Sequence, residues 1–148
     1  MTENELIEAL VTSAESYLGN LYSTGGNGPT FDCSGLICRA MTESFNPEFP
    51  RVTAAAIRDS YSDAVGMTGE RRGDFVNFHW TDDETGITYD HIGIVTDPLT
   101  GEMINCTTAN TVTAIDNSPG VRYDNYNGTF WGPKRVFGSR RFTRPVSP

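Results

Sequence analysis

Tyr22-Ser-Thr-Gly-Gly-Asn-Gly-Pro-Thr-Phe-Asp-Cys-Ser-Gly-Leu36 is the stretch from which the rest of the chain is read. A glycine-rich loop (Gly25, Gly26, Gly28, then Pro29) runs into Asp32-Cys33-Ser34-Gly35, and beyond it Leu36, Ile37, Ala40 and Met41 recur at helical spacing. The pattern puts Cys33 at or just inside a helix N-terminus, where unpaired N–H groups and the helix dipole favour an anion. A thiol so placed is expected to have a lowered pKa and to be a nucleophile. The alternative is a small buried hydrophobe, the commonest fate of a free cysteine.

Upstream, Leu6, Ile7, Leu10, Val11, Ala14, Tyr17 and Leu18 predict an amphipathic helix over 3–18, capped by Thr2 or Asn4 and stopped at Gly19-Asn20. Downstream, the cysteine helix should run over about 33–45, with Asp32 as its N-cap. Pro47 and Pro50 then forbid continuation. A short helix is expected at about 53–61 and a polar loop at 62–73. After Gly73 the period turns toward two, which predicts strands at 74–79, 87–96, 102–108, 111–115 and 132–137. Residues 116–131 read as a long surface loop and about 138–148 as a tail. Helices first and antiparallel hairpins afterwards make an α+β domain, expected to be a single unit over 1–148 with a sheet of about five strands.

Composition narrows the function classes. The net charge is −8 with a pI near 4.6. Such a chain does not suit nucleic acid, whose binding rests on lysine and arginine neutralising phosphates. No window approaches the ~18 apolar residues of a membrane span, so membrane insertion is not expected. Three cysteines without a C-x-x-C pair, and only two histidines, suit neither a disulfide framework nor a zinc site. No metal and no cofactor are expected. The start, Met1-Thr-Glu-Asn-Glu-Leu6, lacks a secretory pattern. The corresponding expectation is a chain made in the cytoplasm.

Partners for Cys33 come from two other segments. In Asp90-His91-Ile-Gly-Ile-Val95, His91 and Gly93 face one side of a strand and Ile92 and Ile94 the other. Across the next hairpin, in Met103-Ile-Asn105-Cys106, Asn105 can lie on the neighbouring strand facing His91. An amide oxygen accepting from one imidazole nitrogen leaves the other to meet a thiol, and Cys-His-Asn is a known triad. His91 alone would read as a structural histidine. His79, beside Trp80 and an acidic turn, reads as a strand-end surface residue.

Taken together, Tyr22-x-x-Gly-Gly, Phe31-Asp-Cys-Ser-Gly-Leu36, Pro50-Arg51, Gly73-Asp74-Phe-Val, Asp90-His91-Ile-Gly-Ile and Met103-Ile-Asn105 resemble the NlpC family of papain-like cell-wall peptidases, over about residues 6–137. The resemblance implies the papain-like α+β fold, with the cysteine helix packed on an antiparallel sheet. It implies hydrolysis of peptidoglycan stem peptides, typically at the bond between D-glutamate and the diamino acid. Cys33 matches the nucleophile, His91 the general base, and Tyr22 the tyrosine beside the oxyanion. Asn105 falls where the family more often has histidine. Asp32 and Ser34 match a pair that in some members binds the free amine of the substrate peptide, with loop packing and helix capping as their alternative roles.

Two other readings stay open at this point. One is an amidase acting on another amide, of the wall or elsewhere. The other is a catalytically silent binding module of a phage tail or secretion assembly. The substrate partner expected is peptidoglycan or a muropeptide. An acidic catalytic domain without a wall-binding module further implies delivery by a phage particle, a lysis system or an effector route without a conventional signal, and an immunity protein is a conceivable partner.

Overall fold

The computed structural model of the chain describes residues 1–108 and 119–142. Three helices precede the sheet: α1 (Glu3–Glu15), α2 (Cys33–Thr42) and α3 (Ala54–Ser60). Each starts on a side-chain cap. Thr2 and Glu5 close a capping box on α1, with Glu5 N–H to Thr2 Oγ1 at 3.1 Å and Thr2 N–H to Glu5 Oε1 at 2.9 Å. Asp32 caps α2 and Thr53 caps α3, as their residue types favour. The first helix ends at Glu15, before the expected Leu18. The turn that follows leads to Gly19 at φ 88°, whose N–H bonds Val121 O.

The strands are β1 (Ser62–Gly66), β2 (Phe75–Thr81), β3 (Thr88–Asp97), β4 (Glu102–Thr107), β5 (Gly120–Asn125) and β6 (Arg135–Arg141). They form one sheet of order β1-β6-β2-β3-β4-β5, every neighbouring pair antiparallel. One face carries Phe75, Ile92, Ile94, Ile104, Cys106 and Val121 against Leu10, Val11, Leu36, Ile37 and Ala40 of α1 and α2. Val76, Phe78, Val95 and Met103 point the other way and pack with Tyr126 and Trp131. Strand alternation therefore feeds two apolar layers.

The expected α+β class is the one observed, with corrections in the strands. The sheet has six strands among the described residues where about five were expected. The supposed loop at 62–73 begins with β1, an edge strand whose mostly exposed residues carry no apolar alternation. The supposed surface loop at 116–131 contains β5 and the fully buried Tyr126 and Trp131. In β5 one side of the alternation is Arg122 and Asp124, charged residues that read as solvated yet are buried. The supposed tail supplies most of β6, which sits between β1 and β2. Two of its arginines are paired inside the fold: Arg140 grips both Asp74 oxygens at 2.8 and 2.9 Å, and Arg141 donates to Gly73 O at 2.9 Å with its guanidinium 4.1 Å from the Phe45 ring centre. The strand expected over 111–115 lies outside the described residues.

The loop before α2 folds tightly onto the helix. Gly35 lies so close to the loop that an added Cβ would run into the Gly26 carbonyl. Both groups are backbone, so neither can swing aside. Gly35→Ala is expected to cost about 3 kcal/mol or more of stability, measured as the change in unfolding free energy in urea.

Candidate active site

One helix, three strands and the loops beside them converge on one cleft of about 330 Å³. It is lined by Tyr22 from the glycine loop, Cys33 from α2, Trp80 and Asp82 around the end of β2, Tyr89, Asp90 and His91 from β3, Thr107 and Thr108 at the end of β4, and Trp131. The sequence-predicted Cys33, His91 and Tyr22 thus share a cleft. Asn105 stands behind His91, with its Oδ1 2.7 Å from His91 Nε2.

The Asn105 amide is oriented from the far side. Its Nδ2 donates to Asp124 Oδ2 at 2.9 Å and to Arg122 O at 3.2 Å. A carboxylate and a carbonyl can only accept, so the amide nitrogen must face them and Oδ1 must face the imidazole. Nε2 then carries the proton and donates to Asn105, which leaves Nδ1 as an acceptor. Arg122 Nε holds the same Asp124 oxygen at 3.0 Å. The chain His91–Asn105–Asp124–Arg122 lies wholly in the interior.

Backbone geometry explains why the cysteine reaches this place. The β3–β4 ladder stops at Ile94↔Ile104, so the strands separate toward His91. Val95 gives its N–H to the β2 side, through Asp74 O at 2.8 Å. By strand alternation Ile92 turns its own N–H to the opposite edge. That N–H, with those of Cys33 and Ser34, lies against the Cys33 sulfur. Gly93 leaves room for side chains of β4: a Cβ there would stand 2.5 Å from Met103 Sδ and 3.3 Å from Asn105 Cβ. The room left by this glycine is taken by the protein's own side chains.

Burial governs the charge states. It pushes the Cys33 thiol up to about 12, with the nearby Asp32 charge adding to the effect, against the three amide N–H groups. This reverses the expectation of a lowered thiol pKa: desolvation outweighs the helix terminus. Burial likewise takes His91 down to about 4, although Asn105 supports the charged form. Both shifts favour the neutral forms, thiol and imidazole.

Asp32 and Ser34 do not line the cleft. Asp32 Oδ1 accepts from Gly35 N–H (2.6 Å), the Ser34 hydroxyl (2.9 Å) and Arg51 Nη2 (2.8 Å), and Oδ2 accepts from Gly25 N–H (3.0 Å). Arg51 Nη1 also donates to Ser34 Oγ at 3.0 Å. Both side chains are engaged in holding the loop to the helix. His79 is exposed and meets Asp90 at 2.8 Å, outside the cleft lining.

Trp131 is the site residue that sequence reasoning missed. Its indole stacks on the His91 ring at 4.3 Å between centres and 12° between planes. It is held in turn by Phe78 at 4.9 Å and Phe130 at 4.8 Å. It lay in a segment rich in Asn, Gly and Tyr, and only its own size and apolar surface hinted at burial.

A cysteine at a helix start, a strand histidine and a neighbouring orienting amide can be compared with known proteins. The model of the NlpC/P60 family matches residues 19–141. This chain belongs to the NlpC/P60 family. It is 37% identical over 125 residues to the Listeria innocua protein named "Probable endopeptidase p60", covering 84% of this chain and 22% of that one. It is 30% identical over 110 residues to "Probable endopeptidase YafL" of Escherichia coli, covering 68% of this chain and 43% of that one. This NlpC/P60 chain thus spans less than half the length of either relative. Among solved structures, a Staphylococcus aureus lipoprotein-like NLP/P60 protein superposes with a TM-score of 0.68 at 22% identity, covering 95% of this chain and 43% of that one. The NlpC/p60 domain of the peptidoglycan hydrolase SagA superposes with a TM-score of 0.56 at 22% identity, covering 90% and 97%. These two share the fold of this family member.

A buried neutral histidine has a consequence for stability. With the folded value near 4 and the unfolded value near 6.5, the unfolded chain binds the extra proton first as pH falls. Stability tied to His91 is therefore complete above about pH 6.5 and is lost progressively down to about pH 4. Urea midpoints of wild type and His91→Gln across this range are expected to show the wild type losing ground to the variant as pH falls.

Proposed function

We propose that this domain is a cysteine peptidase that hydrolyses peptidoglycan stem peptides at the bond between D-glutamate and the diamino acid. The observation that carries the reading is the His91 Nε2–Asn105 Oδ1 bond in a cleft that also contains Cys33. Family membership and relatives named endopeptidases support it.

Catalysis in this reading starts from the neutral pair. As Cys33 Sγ attacks the amide carbonyl carbon, its proton passes to His91 Nδ1, and Asn105 supports the imidazolium through Nε2–H. The C=O π electrons move onto oxygen. That oxyanion takes the Cys33 N–H at the start of α2 and the Tyr22 hydroxyl, donors each worth roughly 3 kcal/mol in the transition state. His91 then gives the proton to the leaving nitrogen, the C–N bond breaks and a thioester remains. Water attacks the thioester, His91 takes its proton and returns it to sulfur, and the peptide leaves as a carboxylic acid. Burial suits this scheme, because a neutral thiol kept from bulk water ionises only as the electrophile arrives.

Digestion of purified diaminopimelate-type peptidoglycan, with products identified by mass, tests the reading. Wild type is expected to release fragments ending at D-glutamate and Cys33→Ala none. Tyr22→Phe is expected to lower kcat roughly 10²-fold with little change in KM, as removal of an oxyanion donor does. Cleavage between the glycan and L-alanine would mark an amidase. Equal inactivity of wild type and Cys33→Ala on sacculi and on defined muropeptides would mark a silent module.

A further inference from the structure

The cleft continues past the reacting groups. From His91 an aromatic row follows its sheet-side wall: Trp131 stacked at 4.3 Å, Trp80 edge-on to Trp131 at 6.0 Å, and Tyr89 stacked on Trp80 at 5.4 Å. Trp80 and Tyr89 face each other in the β2–β3 register, and Tyr89 is 41% exposed. Beside the row stands Asp82. Its Oδ1 accepts from the Glu84 and Thr85 amides, both at 2.9 Å, the Thr85 side chain also helps to hold the carboxylate, and among the described residues no lysine, arginine or histidine pairs with it. The other carboxylate on the cleft, Asp90, is already held by Arg58 at 2.5 Å and by His79 at 2.8 Å. Among the described residues, no lysine or arginine lines the cleft.

We propose that this row is the subsite for the leaving group, and that it takes an aliphatic side chain ending in an unsubstituted primary ammonium, with Asp82 as the acceptor. The inference rests on the hydrolase reading above. The leaving nitrogen must come within hydrogen-bond reach of His91 to receive its proton. The residue attached to that nitrogen therefore extends on the His91 side of the sulfur, where the row lies. Methylene groups pack on aromatic surface, and ring faces attract a cation. Tyr89 has such surface open, and Asp82, unlike Asp90, has no cation partner among the described residues.

The fold uses the same chemistry on its own account. Lys134, outside the cleft lining, places its Nζ 3.9 Å from the Phe130 ring centre and 5.7 Å from that of Trp80, and donates to Phe130 O at 2.9 Å. A substrate amine would find a comparable setting along the row, with a full carboxylate in place of the carbonyl. In chemical terms the preferred substrate is a stem peptide whose diamino acid keeps its distal amine free. Acylation of that amine, as in a cross-link, removes the charge that Asp82 and the rings would hold. The domain would then act on uncross-linked stems ahead of cross-linked ones.

The test compares kcat/KM on paired synthetic stem peptides, with lysine or with meso-diaminopimelate amidated at its distal carboxylate after D-glutamate, each with the distal amine free or N-acetylated. Wild type and Asp82→Asn are both assayed; the asparagine keeps an oxygen for the turn amides and removes only the charge. Acetylation is expected to lower wild-type kcat/KM roughly tenfold or more, mainly through KM. Asp82→Asn is expected to lower it similarly on the free-amine peptides and to leave the acetylated ones unchanged. Equal wild-type rates on free and acetylated peptides, or an Asp82→Asn loss equal on both, overturns the ammonium subsite and leaves the hydrolase reading standing. Absence of cleavage of every peptide by wild type overturns both.

Discussion

The site depends first on one carboxylate. Asp32 accepts the N–H of Gly35 inside α2, the N–H of Gly25 in the preceding loop, the Ser34 hydroxyl and a guanidinium N–H of Arg51. Four groups from three segments meet on two oxygens, so loop, helix and the stretch after Pro50 cannot move independently. Cys33 is the residue between this hub and the helix. An anion at a helix N-terminus is also favoured by the exposed amides there. The same charge, close to the sulfur, disfavours a thiolate, and burial disfavours it further. The constraint that places the cysteine thereby opposes its ionisation.

The histidine is placed by a different device. The β3–β4 ladder ends early, and the gap is bridged by side chains, His91 to Asn105, in place of backbone bonds. Asp124 fixes which end of the asparagine faces the ring, and Trp131 fixes the plane of the ring. Buried polar groups are costly unless fully paired, and here each member of the chain has an acceptor or donor waiting. Asparagine thus stands where a histidine is more usual without leaving an amide unsatisfied.

Several pieces were legible without coordinates. The caps Thr2 and Asp32, the helix starts after them, and the hairpin joining β3 and β4 follow from local chemistry that a few neighbouring residues carry. So did the facing of His91 and Asn105, because alternation and a short turn decide it. The pieces missed share one property: their meaning comes from distant partners. Ser62, in β1, becomes interpretable only with Ser139, 2.9 Å away across the sheet edge. Arg140 and Arg141 fell in the supposed tail and are in fact paired with Asp74 and Gly73.

By itself, then, the sequence determined the helix N-terminus that holds Cys33, the strand faces of His91 and Asn105, and membership of an α+β class, since each depends on spacing of 3.6 or 2 residues and on capping chemistry. Only the tertiary structure decided the desolvation of the thiol, the engagement of Asp32 and Ser34 by Arg51, the burial of Arg122 and Asp124, and the stacking of Trp131 on the His91 imidazole. Those outcomes depend on desolvation and on contacts between residues far apart in the chain, and no local pattern encodes how much water a group will lose.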